Sequence, residues 1–328
     1  MAGGPSTPAL TAAVGRVGGL GFVAAGYLTP DQLRSTLAAT RQLSGAPFGV
    51  NLFCPSTPAD PAPVEAYAAL LRPESDRLGV PLGEPRWEDD DYADKLALVA
   101  AERVSMVSFT FGCPDAGVLD DLHDAGCSVA VTVTSAAEAQ AAEQAGTDLL
   151  GVQGTEAGGH QASFLDRSPN LRTLPTLVDE VRASTTVPMV AGGGIMTGPD
   201  AADVMRRGAV GVQLGTAFLC CPEAGTSAPY RRALREGTYR DTMLTRAFSG
   251  RYARGLANGF AVTYSAAAPE AYPEVHHLTR PLRAAATEAG DPDIPNLWAG
   301  AGWRAVTTEP AEVIVARIAS ELHGASGP

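Results

Sequence analysis

Two glycine-rich segments in this sequence have the chemistry to hold a phosphate. In Pro188-Met189-Val190-Ala191-Gly192-Gly193-Gly194-Ile195 an apolar run ends in three glycines, and Pro199-Asp200 then opens a helical stretch. Glycines at a strand end let an anion reach backbone N–H groups, and a helix start favours its charge. The run Gly211-Val212-Gln213-Leu214-Gly215-Thr216 ends the same way, with the Thr216 hydroxyl as a further donor. Two consecutive strand ends of this kind match the phosphate site that barrels build after their last two strands. A third glycine-rich run, Val152-Gln153-Gly154-Thr155-Glu156-Ala157-Gly158-Gly159-His160, carries a histidine on a loop above a strand end. Imidazole titrates near neutrality, so His160 is the candidate acid or base. Glu156 reads as a residue that orients this loop. Asn51 ends the run Gly49-Val50-Asn51. Its amide can donate and accept, as reading a heteroaromatic ring edge requires. His123, His276, His277 and His323 sit in no comparable loop and read as structural or surface residues.

Other chemistries are excluded by what the sequence lacks. Gly19-Leu20-Gly21-Phe22-Val23-Ala24 matches a dinucleotide fingerprint in letters only. That fingerprint follows a strand and opens a helix, whereas here the order is reversed. There is no G-x-S-x-G, no H-E-x-x-H and no metal-ligand spacing, so a serine hydrolase or a metal site is not expected. Lys95 is the sole lysine, which removes the phosphate-binding Walker loop and leaves Schiff-base chemistry to that one residue. The net charge of −12 argues against nucleic acid or an anionic membrane as partner. The five cysteines form no C-x-x-C pair and read as reduced thiols. No apolar run approaches the ~18–20 residues of a membrane span, and no secretory leader opens the chain, so a cytoplasmic location is expected.

The elements that must position these residues alternate. Strands are predicted at 20–24, 48–53, 106–111, 128–133, 149–152, 188–191 and 211–214, with helices between them. Continuous apolar runs such as Val129-Ala130-Val131-Thr132-Val133 indicate burial on both faces, hence a parallel sheet. Repeated βα units of this size make a doubly wound sheet or a (β/α)8 TIM barrel. Seven strands are predicted, not eight, and the chain opens directly on the turn Met1-Ala2-Gly3-Gly4. The expectation is a barrel lacking its first strand, with a start downstream of the natural one. After residue 245 the rhythm breaks, and Pro/Ala-rich segments predict a helical, loop-rich region over the barrel mouth. The expected division is a barrel over 1–244 and a region completing the substrate site over 245–328.

With these residues in view, the sequence resembles the nitronate monooxygenase family, FMN-dependent TIM barrels once called 2-nitropropane dioxygenases. The likeness runs to about residue 305. It rests on Met1-Ala2-Gly3-Gly4, Gly18-Gly19-Leu20-Gly21, Gly49-Val50-Asn51, Gln153-Gly154 through His160, Gly192-Gly193-Gly194-Ile195, Gln213-Leu214-Gly215-Thr216 and Leu297-Trp298-Ala299-Gly300. The resemblance implies that Asn51, Gln153, Gly158, Gly194, Gln213, Gly215 and Thr216 contact FMN. Gln153 would lie near the flavin ring, and Gly194, Gly215 and Thr216 near the phosphate. His160 would be the catalytic residue, and Tyr264 and Trp298 would wall the substrate pocket. The implied reaction is oxidation of an alkyl nitronate, such as propionate 3-nitronate, by O2 to a carbonyl product and nitrite. A nitroalkane would serve if His160 removed its α-proton. A homodimer is compatible with the resemblance. FMN-dependent enoyl-acyl-carrier-protein reductases share the Gly-Gly-His loop and the phosphate loops, so that activity is the alternative.

Overall fold

The computed structural model describes residues 1–325. Its strands are β1 (Gly21–Ala24), β2 (Phe48–Phe53), β3 (Met106–Thr110), β4 (Ser128–Val133), β5 (Leu149–Gln153), β6 (Gly159–His160), β7 (Met189–Gly192), β8 (Gly211–Gln213), β9 (Thr242–Thr245) and β10 (Ala253–Leu256). Its helices are α1 (Pro8–Arg16), α2 (Pro30–Leu43), α3 (Pro61–Leu78), α4 (Tyr92–Ala101), α5 (Ala116–Asp124), α6 (Ala136–Ala145), α7 (Leu174–Ser184), α8 (Gly198–Arg206), α9 (Ala228–Arg235), α10 (Gly259–Tyr264), α11 (Glu274–Glu288) and α12 (Ala311–Ala325). Seven strands pair in parallel in the order β1-β2-β3-β4-β5-β7-β8, a curled sheet of TIM-barrel topology whose edges are β1 and β8. Residues 1–7 are tied to the segment after β8: Gly225 N–H donates to Pro5 O at 3.1 Å, and Thr7 Oγ1 to Glu223 O at 2.6 Å. Helix order here has local causes. Thr29 and Gln32 form a capping box at α2, and Thr197 and Asp200 form one at α8, each followed by a proline in the first turn.

Strand periodicity sorts the side chains into two faces. Val50, Leu52, Val107, Phe109, Val129, Val131, Leu150, Val152 and Ala191 are buried in the main core with the helices. The alternate positions Asn51, Ser108, Thr110, Thr132, Gln153, Gly192 and Gln213 are half-buried or exposed. A filled barrel packs that inner face with apolar layers. Here its carboxyl end is polar and open.

Two features differ from the sequence-based expectation. Residues beyond 245 are not only helical: β10 lies among them and pairs antiparallel with β9, which precedes them, and with β6, where Ala253 stands opposite His160. These strands are two to four residues long and carry no continuous apolar run, so periodicity could not reveal them. The C-terminal helices also separate in space. Helices α10 and α11 share a second core with α3, around Tyr67, Leu71, Phe248, Phe260 and Leu282. Helix α12 instead packs beside α8 and α1 in the outer helical layer. Among the described residues no helix is long and apolar enough to cross a membrane, and no group of three metal-ligating side chains occurs.

Candidate active site

The register of the sheet brings the glycine turns together. Gly192 on β7 lies opposite Gln213 on β8, so the turns that follow are neighbours. Gly194 sits at φ 71°, a left-handed conformation that favours glycine. A Cβ there would lie 3.1 Å from the Glu156 Cβ. The amides of Gly194 and Gly215 find no acceptor among the described residues. Thr216 Oγ1 accepts from Gly300 N–H at 2.9 Å, which ties the second turn to the segment 298–302. Gly158 faces the same segment, and its Cβ would lie 2.5 Å from Gly300 N. Gly158 is therefore required for close packing of two loops. Glu156 orients its loop, accepting from Leu174 N–H at the start of α7 at 2.9 Å.

The sheet supplies the floor. Asn51 Nδ2 donates to Ser108 Oγ and Thr110 Oγ1, each at 2.9 Å. Gln153 clamps the histidine loop from both ends of its amide, donating to His160 O at 3.0 Å and accepting from Ala162 N–H at 2.8 Å. Gln213 is exposed on the inner face. Its Oε1 reaches across to within 3.7 Å of where a Gly151 Cβ would stand.

His160 stands above this floor on β6. Its ring is surrounded by Phe111, Tyr272 and Trp298 at centroid distances of 5.7, 5.6 and 5.4 Å. Its Nε2 is 2.8 Å from Ser249 Oγ. The Ser249 hydroxyl donates to Arg251 O at 3.3 Å, so Nε2 carries the proton and donates to Ser249, leaving Nδ1 bare. Burial, with the charges of Arg251 and Arg283, brings the His160 pKa down to about 3. Arg251 is 5% exposed, donates to the carbonyls of Gln161 and Ser163, and lies 4.1 Å over the Phe111 ring.

The opposite wall was not legible in the sequence. Tyr27, at φ 68°, stacks on His276 at 4.3 Å, and its hydroxyl meets that of Tyr272 at 3.1 Å. Burial raises the Tyr27 pKa to about 12. Its backbone is held by Asp90, whose carboxylate accepts Tyr27 N–H at 2.9 Å and pairs with Lys95 Nζ at 2.8 Å. Lys95 is 1% exposed, which makes the sole lysine an ion-pair partner. Tyr27, Phe53, Cys54, Asp90 and Tyr272 line a cleft here. Of the two aromatic wall candidates, Trp298 reaches His160. Tyr264 lies against Tyr67 and Phe260 in the second core and bonds Glu74 at 3.2 Å. His123, His277 and His323 are engaged with Asp148, Glu88 and Ala319 O. His276 stacks on Tyr27, one of the residues that line the cleft.

The chain as a whole has known relatives. The family model for nitronate monooxygenase matches residues 1–321. A probable nitronate monooxygenase of Staphylococcus aureus is 36% identical over 329 residues, spanning 98% of this chain and 92% of that protein. A nitroalkane oxidase from Streptomyces ansochromogenes superposes with a TM-score of 0.97 at 46% identity, covering 99% of this chain and 94% of its own. FabK from Thermotoga maritima superposes at 0.77 with 27% identity, over 99% and 91% of the two chains. By the family match and the identity along nearly its full length, this chain belongs to the nitronate monooxygenase family, an oxidoreductase family.

Proposed function

We propose that this chain oxidises alkyl nitronates, such as propionate 3-nitronate, with bound FMN and O2, releasing a carbonyl product and nitrite. The observation that carries the reading is a buried His160, ringed by Phe111, Tyr272 and Trp298 and under the charges of Arg251 and Arg283, beside a polar sheet end. Such a site favours an anion and excludes water around it.

The residues present fit FMN. The inner face is open where a filled barrel is packed, and the unpaired amides of Gly194 and Gly215 would meet a phosphate. Thr216 would stand beside them. Asn51, Gln153 and Gln213 would face the ring, and Gly158 would keep its covering loop close. When bound, the flavin supplies electron exchange between nitronate and O2; the protein supplies position and charge. With a nitronate no proton need move. With a neutral nitroalkane, His160 Nδ1 is free to take the α-proton, and Arg251 and Arg283 stabilise the anion that results. On this reading residues 1–244 hold the cofactor, and 245–328 supply Ser249, Arg251, Tyr272, His276, Arg283 and Trp298.

The test is to purify the protein, identify its chromophore and measure nitrite from propionate 3-nitronate without NAD(P)H. Bound FMN and nitrite release are expected. The second reading is enoyl reduction, which the shared Gly-Gly-His loop and glycine turns leave as the alternative. NADPH-dependent enoyl reduction with no nitrite release would replace the first reading by it.

A further inference from the structure

Arg283 on α11 carries a charge that no carboxylate balances. Its Nε donates to Thr279 Oγ1 at 3.0 Å and its Nη1 to Asn296 Oδ1 at 2.8 Å. Its Nη2 donates to His276 O at 2.9 Å and faces His276 Nδ1 at 3.3 Å. None of these partners is an acid, and among the described residues no carboxylate pairs with Arg283. Loss of water around the guanidinium brings its pKa down to about 10.

A guanidinium only donates. His276 Nδ1 must therefore be the acceptor, and the imidazole proton sits on Nε2. That N–H has no acceptor among the described residues, and the residue is half-buried. The imidazole lies flat on Tyr27, whose hydroxyl meets Tyr272, whose ring faces His160. The acids nearby are engaged: Asp90 with Lys95 at 2.8 Å, and Glu88 with His277 at 3.1 Å. The balance at His276 is positive.

We infer that Arg283 and His276 form the subsite that selects an anionic nitronate over a neutral nitroalkane. Arg283 supplies the opposing charge and fixes the tautomer. His276 donates its Nε2–H to the substrate's anionic oxygen. This rests on the nitronate reading of the same cleft, but its test does not depend on turnover.

The probe is isobutyrate, whose planar carboxylate presents two anionic oxygens like the nitronate group of propane-2-nitronate. Its binding to the flavin-loaded protein is measured for the parent, Arg283→Gln, Arg283→Lys and His276→Phe. A charge-assisted hydrogen bond predicts weakening of about tenfold or more in Arg283→Gln and His276→Phe, with recovery in Arg283→Lys. In turnover, the KM for propane-2-nitronate should rise by a similar factor while that for neutral 2-nitropropane stays within about threefold. Nitrogen-15 NMR of the parent should place the His276 proton on Nε2. Unchanged isobutyrate affinity in both Arg283→Gln and His276→Phe, equal KM losses on both substrates, or a proton on Nδ1 would overturn the subsite. Should no nitronate yield nitrite while isobutyrate binding still depends on Arg283, the functional reading falls and the anion subsite stands.

Discussion

A histidine held near pKa 3 resists protonation, so its value as a base depends on what appears beside it. Burial lowers His160 most, and the charges of Arg251 and Arg283 add to it; on the proposed reading, removal of an α-proton would leave a nitronate anion that offsets the effect of those charges. His160→Asn is expected to keep its flavin and to lose ~10²–10⁴-fold of turnover on neutral nitroalkanes. Nitronates, already deprotonated, should lose much less; steady-state kinetics on both substrates decides this, and equal losses would make His160 a positioning residue. The low pKa also predicts a pH effect on stability. Below the ordinary histidine pKa of about 6.5 the unfolded chain takes up a proton that folded His160 refuses. Stability should therefore fall as pH drops from 6.5 towards 3, by up to ~1.4 kcal/mol per pH unit for this group. Urea melts across that window should be shallower in pH dependence for His160→Asn, and identical slopes would contradict the depressed pKa. Lys95→Met removes the partner of Asp90, the carboxylate that holds the Tyr27 backbone. Breaking a buried pair costs ~3–5 kcal/mol, which a lowered urea midpoint would register.

The glycine turns after β7 and β8 show what an element can reveal from its letters. An apolar run, three glycines and a capped helix are local signals, and β7, the turn and α8 follow them closely. The same holds for the seven parallel strands, whose continuous apolar runs mark burial on both faces. The histidine loop was legible only in part. Its glycines were visible, but its pairing as β6 with β10 spans over ninety residues and leaves no periodic trace. His276 shows the limit most clearly. Nothing about its neighbours in sequence distinguishes it from His277, and only the fold turns one to Tyr27 and the other to Glu88. For the legible element the expectation is direct. Gly194→Asp would place a carboxylate beside two amides proposed to hold a phosphate, in a backbone conformation that favours glycine. Colourless protein is expected on purification. Flavin content equal to the parent would remove Gly194 from the cofactor site.

At the scale of the molecule, the end of the described chain returns to the cofactor side. Helix α12 packs on both α1 and α8, with Ala311 and Ile314 fully buried and Ile318 at 4% exposure in the main core. Its contact with the start of α8 is close. A Cβ on Gly198 would stand 2.3 Å from the Glu321 Cβ and 2.5 Å from Leu322 N, so α12 backbone would have to shift. Glu321 also accepts Gly198 N–H at 2.7 Å, a carboxylate set at the positive end of α8. Because α8 begins four residues after Gly194, α12 holds the helix that follows the glycine turn proposed to take the phosphate. Two substitutions separate this anchoring from stability alone. Ile314→Ala removes buried volume far from Gly198 and should cost ~2–5 kcal/mol. Gly198→Ala overpacks the α8–α12 contact and should cost ~1–3 kcal/mol. Urea melts measure both losses, and titration of the flavin-stripped proteins measures cofactor affinity. Flavin affinity should fall in Gly198→Ala and stay near the parent value in folded Ile314→Ala. Equal affinities in the two variants would mean that α12 stabilises the fold without positioning the phosphate turn.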